Sequence, residues 1–240
     1  MRTMAGSTAL YLVPTPIGNL EDMTFRAIKV LGSVSLILAE DTRTSSVLLR
    51  HYGISTPVKS YHAFNEHRVT QELVGRMHAG EVMALISDAG TPGISDPGYL
   101  LVRAALQAGL GIECLPGATA LIPALVKSGF TTDRFVFEGF LPHKKGRMTR
   151  IAALSSEERT IVMYESPHRL IRTIGQLAAA LEPGRRISVS RELSKMHEET
   201  ITGTPAELLE ALQDGKVRGE LVVVIEGREK RRGEEFAEDK

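Results

Sequence analysis

Ser87-Asp88-Ala89-Gly90-Thr91-Pro92-Gly93-Ile94-Ser95-Asp96-Pro97-Gly98 follows the apolar run Val82-Met83-Ala84-Leu85-Ile86 and precedes a helical stretch over 99–108. Three glycines, two prolines, two aspartates and no long side chain describe a loop shaped for close approach of a ligand. Glycine allows positive φ and removes the Cβ that would block an approaching group, while proline fixes its own φ and restrains the residue before it. Ligands of open α/β sheets bind beyond the carboxyl ends of the strands, which is where this loop sits. A plain strand-to-helix turn capped by Asp96 does not need twelve residues of this composition.

Outward from this loop the first half alternates strand and helix. Strands are expected at 9–13, 35–39, 58–61, 82–86 and 112–115. Helices are expected at 24–31, 44–52, 66–79 and 99–108, from apolar spacing and glycine stops such as Gly53 and Gly80. That alternation implies crossover connections and a mostly parallel sheet. A helix to Ser128 leads into a second half with another rhythm. Its strands are expected at 135–140, 160–164, 186–190, 198–203 and 220–225, its helices at 149–154, 168–181 and 205–213. No helix separates the strands on either side of Arg191 to Glu198, so an antiparallel pair and a mixed sheet are expected there. The reading is α/β with two domains, 8–117 and 118–227, followed by a charged, disordered tail at 228–240.

Of 240 residues, 42% are hydrophobic and 24% charged, and the formal net charge is zero. This is the composition of a soluble globular protein and excludes a generic polyanion binder. No apolar run reaches the roughly 18 residues of a membrane span, and the amino-terminal residues lack a signal-peptide core. The single cysteine, Cys114, precludes an internal disulfide, reads as a packed thiol in a strand, and suits the cytoplasm. Charge is uneven: residues 127–195 hold 13 Lys/Arg against 7 Asp/Glu, enough for a local basic surface able to meet phosphates.

Two further small-residue loops follow strands: Pro14-Thr15-Pro16-Ile17-Gly18-Asn19 and Pro116-Gly117-Ala118-Thr119-Ala120. Neither is a G-x-G-x-x-G or a phosphate-binding P-loop. With no lysine or arginine inside, the three loops suit a small molecule that is neutral or of mixed charge better than a polyphosphate. Polar clusters follow other strands: Glu40-Asp41-Thr42-Arg43, Tyr61-His62-Ala63-Phe64-Asn65-Glu66, Tyr164-Glu165-Ser166-Pro167-His168-Arg169 and Arg191-Glu192-Leu193-Ser194-Lys195-Met196-His197-Glu198. Each also fits a helix cap or a surface ion pair. His62 and His67 are five apart, not the four of a shared helical face, so no metal site is expected.

Taken in order, Val13-Pro14-Thr15-Pro16-Ile17-Gly18-Asn19-Leu20, Glu40-Asp41-Thr42-Arg43, the 87–98 loop, Pro116 to Ala120, Phe137-Glu138-Gly139-Phe140-Leu141-Pro142, Tyr164 to Arg169 and Arg191 to Lys195 resemble one family. It is the ribosomal RNA small subunit methyltransferase I branch of the tetrapyrrole-methylase-like superfamily, over about residues 10–227. His62-Ala63-Phe64-Asn65-Glu66, without a histidine before the asparagine, and His197, where an aromatic is usual, depart from its pattern. The resemblance implies a class III fold of two α/β domains with S-adenosylmethionine in a cleft between them, and a homodimer. It also implies methyl transfer to the 2′-hydroxyl of a cytidine in the decoding region of 16S ribosomal RNA in the small subunit. By the same resemblance Pro14, Asp88, Ala89, Gly90, Ile94, Ser95, Asp96, Ala118, Thr119, Met163 and Tyr164 form the cofactor pocket, largely through backbone groups.

An activated methyl donor leaves the enzyme to align the attack and help deprotonate the hydroxyl. Glu165, Glu198 and Asp88 are the candidate bases, with Lys195 or Arg43 lowering proton affinity or holding phosphate. Lys144, Lys145, Arg147, Arg150, Arg169, Arg172, Arg191 and Lys195 are the candidate RNA contacts. Two rival readings are a tetrapyrrole-type small-molecule methyltransferase and a non-catalytic RNA-binding module. The basic second half and the absence of a V-G-x-G-P-G first loop weigh against the former, and the three ligand loops against the latter.

Overall fold

The interior strands are short and largely buried, so each is covered on both faces. In the computed structural model, which describes residues 8–212 and 217–229, they build two sheets. The chain divides into two compact units between Thr119 and Ala120. Of the disordered tail expected at 228–240, Arg228 is tied to the fold by its N–H, which donates to the Glu157 carbonyl at 2.9 Å, and residues 230–240 lie outside the described residues.

The first unit runs β1 (Thr8–Leu12), α1 (Phe25–Ser33), β2 (Leu36–Ala39), α2 (Thr42–His51), β3 (Val58–Ser60), α3 (Glu66–His78), β4 (Met83–Ile86), α4 (Tyr99–Gln107) and β5 (Gly111–Cys114). Its sheet has the order β3-β2-β4-β1-β5 with every pair parallel. Alternation along the strands sorts the core into two layers. Leu10, Leu36, Leu38, Met83 and Leu85 pack with Val69, Leu73, Met77, Leu101 and Ala105 of α3 and α4. Val13, Ile37, Ala39, Ala84 and Ile86 pack on the other side with Ala27, Leu31 and Leu49 of α1 and α2. Thr24 and Asp41 start those two helices by accepting the N–H groups of Ala27 and Arg43. Cys114 departs from expectation. β5 is an edge strand, and the thiol is exposed rather than packed.

The second unit runs α5 (Leu121–Ser128), β6 (Phe135–Phe140), α6 (Arg147–Ser155), β7 (Thr160–Glu165), α7 (Leu170–Ala180), β8 (Ile187–Arg191), β9 (Glu199–Gly203), α8 (Pro205–Leu212) and β10 (Leu221–Ile225). The sheet order is β6-β7-β10-β8-β9. β6 and β7 are parallel, β10 is antiparallel to β7 and β8, and β8 and β9 form the expected antiparallel pair. One face packs Ile161, Met163, Ile187, Val189, Leu221 and Val223 against Ile151, Leu154, Ile174, Leu177 and Leu208 of α6, α7 and α8. Among the described residues no helix is long and apolar enough to cross a membrane.

Candidate active site

In a parallel sheet all carboxyl ends lie along one edge. In the first unit β4, β1 and β5 are neighbours, so the three small-residue loops emerge side by side. They are fastened to one another. Thr15 and Gly90 form a two-residue antiparallel bridge, each N–H donating to the other's carbonyl at 2.9 Å. The buried Thr15 hydroxyl donates to the Ser87 carbonyl at 3.1 Å, and the Thr91 hydroxyl to the Ala118 carbonyl at 3.1 Å. The close approach explains the glycines. A Cβ on Gly117 would lie 2.7 Å from Cβ of Pro14, and Gly90, at φ +82°, would put one 3.4 Å from Ile17. Ser95 adopts φ +62° without being glycine, so the 87–98 loop holds a strained residue between its two aspartates. Of the residues expected around a cofactor, Pro14, Asp88, Ala89, Gly90, Ile94, Ser95, Asp96, Ala118 and Thr119 belong to these loops.

A group of carboxylates lines the ends of β2 and β4. Asp88 Oδ1 accepts the N–H of Asp41 at 3.1 Å. Asp41 caps α2 and pairs with Arg43 at 2.6 Å; these bonds from the Arg43 side chain and backbone hold its carboxyl down at about 2. Two neighbours shift the other way. Burial raises Asp96 to about 6, with help from the charges of Glu40 and Asp88 and against a hydrogen bond from Ser87. Burial and Asp88 likewise raise Glu40, opposed by His62. This end of the unit therefore presents concentrated negative potential, suited to cationic ligand atoms. Among the described residues no group of three or more His, Cys, Asp and Glu side chains is arranged to hold a metal.

Met163 and Tyr164 lie on β7 of the second unit, where the Met163 side chain is fully buried in the core. Glu165, next in line, is corrected from base to anchor. Its side chain is fully buried, and both oxygens are engaged. Oε1 accepts from the Ser166 N–H and pairs with Arg169 at 2.7 Å, while Oε2 accepts from the Thr173 hydroxyl at 2.6 Å and faces Arg147 at 3.4 Å. Arg147 is corrected with it. Only 2% exposed, it binds Gln176, Thr173 and the Pro142 carbonyl, so it offers no charge to RNA. Glu198 pairs with Lys127 and accepts the Ser194 N–H at 2.7 Å, which lowers its affinity for a proton and weakens it as a base. Burial opposes the charge on Lys195, but its bonds to Glu192 (2.9 Å) and Glu220 (3.2 Å) outweigh it and raise its pKa. Arg150 pairs with Glu138 and Arg191 with Glu199. Lys144, Lys145 and Arg172 are exposed and make no ion pair among the described residues.

The family signature of the tetrapyrrole (corrin/porphyrin) methylases matches residues 9–209. A ribosomal RNA small subunit methyltransferase I from Synechocystis is 51% identical, over 91% of this chain and 78% of its own. The protein of that name from Escherichia coli O157:H7 is 46% identical, over 91% and 77%. The chain belongs to this methyltransferase family. Solved tetrapyrrole methylases share its fold at lower identity. The uroporphyrin-III C-methyltransferase of Thermus thermophilus, solved with S-adenosylhomocysteine, is 19% identical with a TM-score of 0.62 over 90% of this chain and 96% of that one. A cobalt-precorrin-4 methyltransferase is 16% identical with a TM-score of 0.67, over 90% and 94%.

Two residues of this methyltransferase lie in the sequence motifs but have no role of their own assigned from sequence: Glu40, whose charge acts on Asp96 and is itself acted on by Asp88, and Phe140, an exposed ring at the end of β6. Glu40 carried a signal, since it directly follows four buried apolar strand residues.

Proposed function

We propose that the chain transfers the methyl group of S-adenosylmethionine to the 2′-hydroxyl of a cytidine in the decoding region of 16S ribosomal RNA, acting in the cytoplasm as a homodimer. The observation that carries this reading is the set of three fastened loops at the ends of β1, β4 and β5, in a chain 51% identical to a ribosomal RNA small subunit methyltransferase I. The loops fit the cofactor. Their side chains are short and carry no cation, and Asp88, Asp96 and Glu40 suit a ligand bearing ammonium and sulfonium charges. When bound, the cofactor supplies a methyl group already activated on sulfur.

The chain's own residues then have two tasks. Positioning is the larger, contributing up to about 7–11 kcal/mol when the reacting groups are held in line. Rigidity from the Thr15–Gly90 bridge and the Thr91–Ala118 bond serves it. Deprotonation contributes about 10²–10⁴-fold. With Glu165 sealed and Glu198 paired, Asp88 is the candidate base: it is exposed, and only its Oδ1 has a hydrogen bond described here, from Asp41. Arg43, held by Asp41, stands beside it to meet phosphate.

The test is to incubate the purified protein with methyl-labelled S-adenosylmethionine and either assembled small subunits, free 16S RNA or uroporphyrinogen. Label on a cytidine ribose of the small-subunit RNA, resistant to alkaline cleavage at that position, is the expected result. Label on the tetrapyrrole alone overturns the reading. Sedimentation of the same preparation checks the homodimer.

A further inference from the structure

The sequence Phe135-Val136-Phe137-Glu138-Gly139-Phe140 reads as regular alternation, which would put Phe137 and Phe140 on opposite faces of the sheet. The structure breaks that alternation. β6 pairs with β7 in register at Phe137↔Val162, slips, and resumes at Gly139↔Met163 and Phe140↔Tyr164. Glu138 is the extra residue of a β-bulge, and Gly139 takes φ +68° beside it. Bulges re-aim side chains, and this one brings Phe140 to the face that holds Phe137 and Tyr164. The Tyr164 ring meets Phe137 at 5.2 Å and Phe140 at 5.6 Å. Even so, Phe140 stays 50% exposed although it packs against the Tyr164 ring.

A cation completes the group. The Arg169 guanidinium lies over the Phe140 ring, 6.0 Å from its centroid. It is held there by Glu165 at 2.7 Å and by the Leu141 carbonyl at 3.3 Å, and its buried Nε–H has no partner among the described residues. The Glu165 anchor, itself fixed by Arg147 and Thr173, thus sets the orientation of a charged plane next to an open aromatic ring. Lys144 and Lys145 follow a few residues on, exposed and without ion pairs among the described residues.

An open aromatic ring, a fixed guanidinium and unpaired lysines are the chemistry that receives single-stranded RNA. Rings and guanidinium planes stack unpaired bases, and ammonium groups meet the phosphates. We infer that Phe140, re-aimed by the bulge and backed by Arg169, is a stacking site for an unpaired nucleobase of the RNA substrate. The inference rests on the RNA-methylating reading above. It adds a substrate-positioning residue outside the cofactor loops.

The experiment measures methylation of assembled small subunits and S-adenosylmethionine binding by the full chain carrying Phe140→Ala, Phe140→Leu or Phe140→Trp. Stacking predicts a kcat/KM toward small subunits about 5- to 150-fold lower for Phe140→Ala, the range set by loss of one base–aromatic stack. Cofactor affinity and thermal midpoint stay at wild-type values. Phe140→Trp restores activity, whereas Phe140→Leu, apolar but not aromatic, does not. Restoration by leucine as full as by tryptophan, or an alanine variant equal to wild type, overturns the stacking site. A change in sedimenting mass in the alanine variant assigns the face to contact between two copies and also overturns it. If the wild-type protein labels no small subunits, the RNA reading fails first and the inference fails with it.

Discussion

Thr15 and Gly90 are joined by two reciprocal backbone hydrogen bonds of 2.9 Å, which lock the loop after β1 onto the loop after β4. The Thr15 hydroxyl adds a third bond, to Ser87, in a site where the residue is 1% exposed. Thr15→Val keeps the shape and removes only that bond. It should cost about 0.5–1.5 kcal/mol of stability and weaken S-adenosylmethionine binding measurably by calorimetry. Unchanged binding would mean that the loops do not need this fastening to hold the ligand.

Gly117→Ala is the sharper probe of the same junction. The new methyl group would meet Pro14 at 2.7 Å, and packed neighbours yield to such overfilling only at about 1–3 kcal/mol. Cofactor affinity should fall more than thermal stability does, since the unit's core is untouched. Equal affinity in the variant and wild type would show that the first and third loops are not both part of the site.

Glu165→Gln separates anchor from base. The substitution leaves Arg147 buried beside an uncharged partner, and breaking a buried pair in this way costs about 3–5 kcal/mol. In urea titrations the variant should lose that much, and Glu165→Gln with Arg147→Met should recover part of it. If Glu165→Gln keeps full stability yet loses turnover, the carboxylate is a catalytic residue after all.

Asp96 gives the pH dependence. Its carboxyl titrates at about 6 in the folded protein against 3.8 ordinarily, so the folded state holds the proton more tightly than the unfolded one. The contribution is therefore favourable at low pH, declines as pH rises from about 4 to about 6, and remains a penalty above that. Asp96→Asn should be more stable than wild type by about 1–3 kcal/mol at pH 8 and nearly equal to it at pH 4. The same advantage at both pH values would contradict the shift.

Lys144→Glu with Lys145→Glu tests the RNA face. Each lost phosphate contact lowers the salt slope of binding by about 0.7–0.9. The double variant should bind small subunits more weakly with a slope smaller by about 1.4–1.8, while its S-adenosylmethionine affinity is unchanged. Loss of both affinities together would indicate damage to the fold instead.

The elements were legible because their signals are local. Leu36–Ala39, Met83–Ile86 and Leu221–Ile225 are unbroken apolar runs, and Thr24 sits at the cap position its side chain prefers. The loops were legible because glycine and proline mark backbone conformation directly. What stayed hidden was pairing. Arg147 and Glu165 are 18 residues apart and read as one basic and one catalytic candidate, yet they neutralise each other in the core. Charge along a sequence does not say which charges meet. Cys114 misled for a related reason, since an edge strand and a central one look alike when only four residues long. The bulge at Glu138 escaped because one extra residue changes no composition, only the face that Phe140 occupies.

β10 is the last strand of the described chain, yet it lies in the middle of its sheet, between β7 and β8. During synthesis the first unit can therefore close as soon as β5 has emerged, while the second waits with two bare strand edges until Leu221–Ile225 arrives. A chain cut short before Leu221 loses more than a terminal strand. It leaves a sheet in two pieces, each with an open edge ready to pair with a neighbouring molecule.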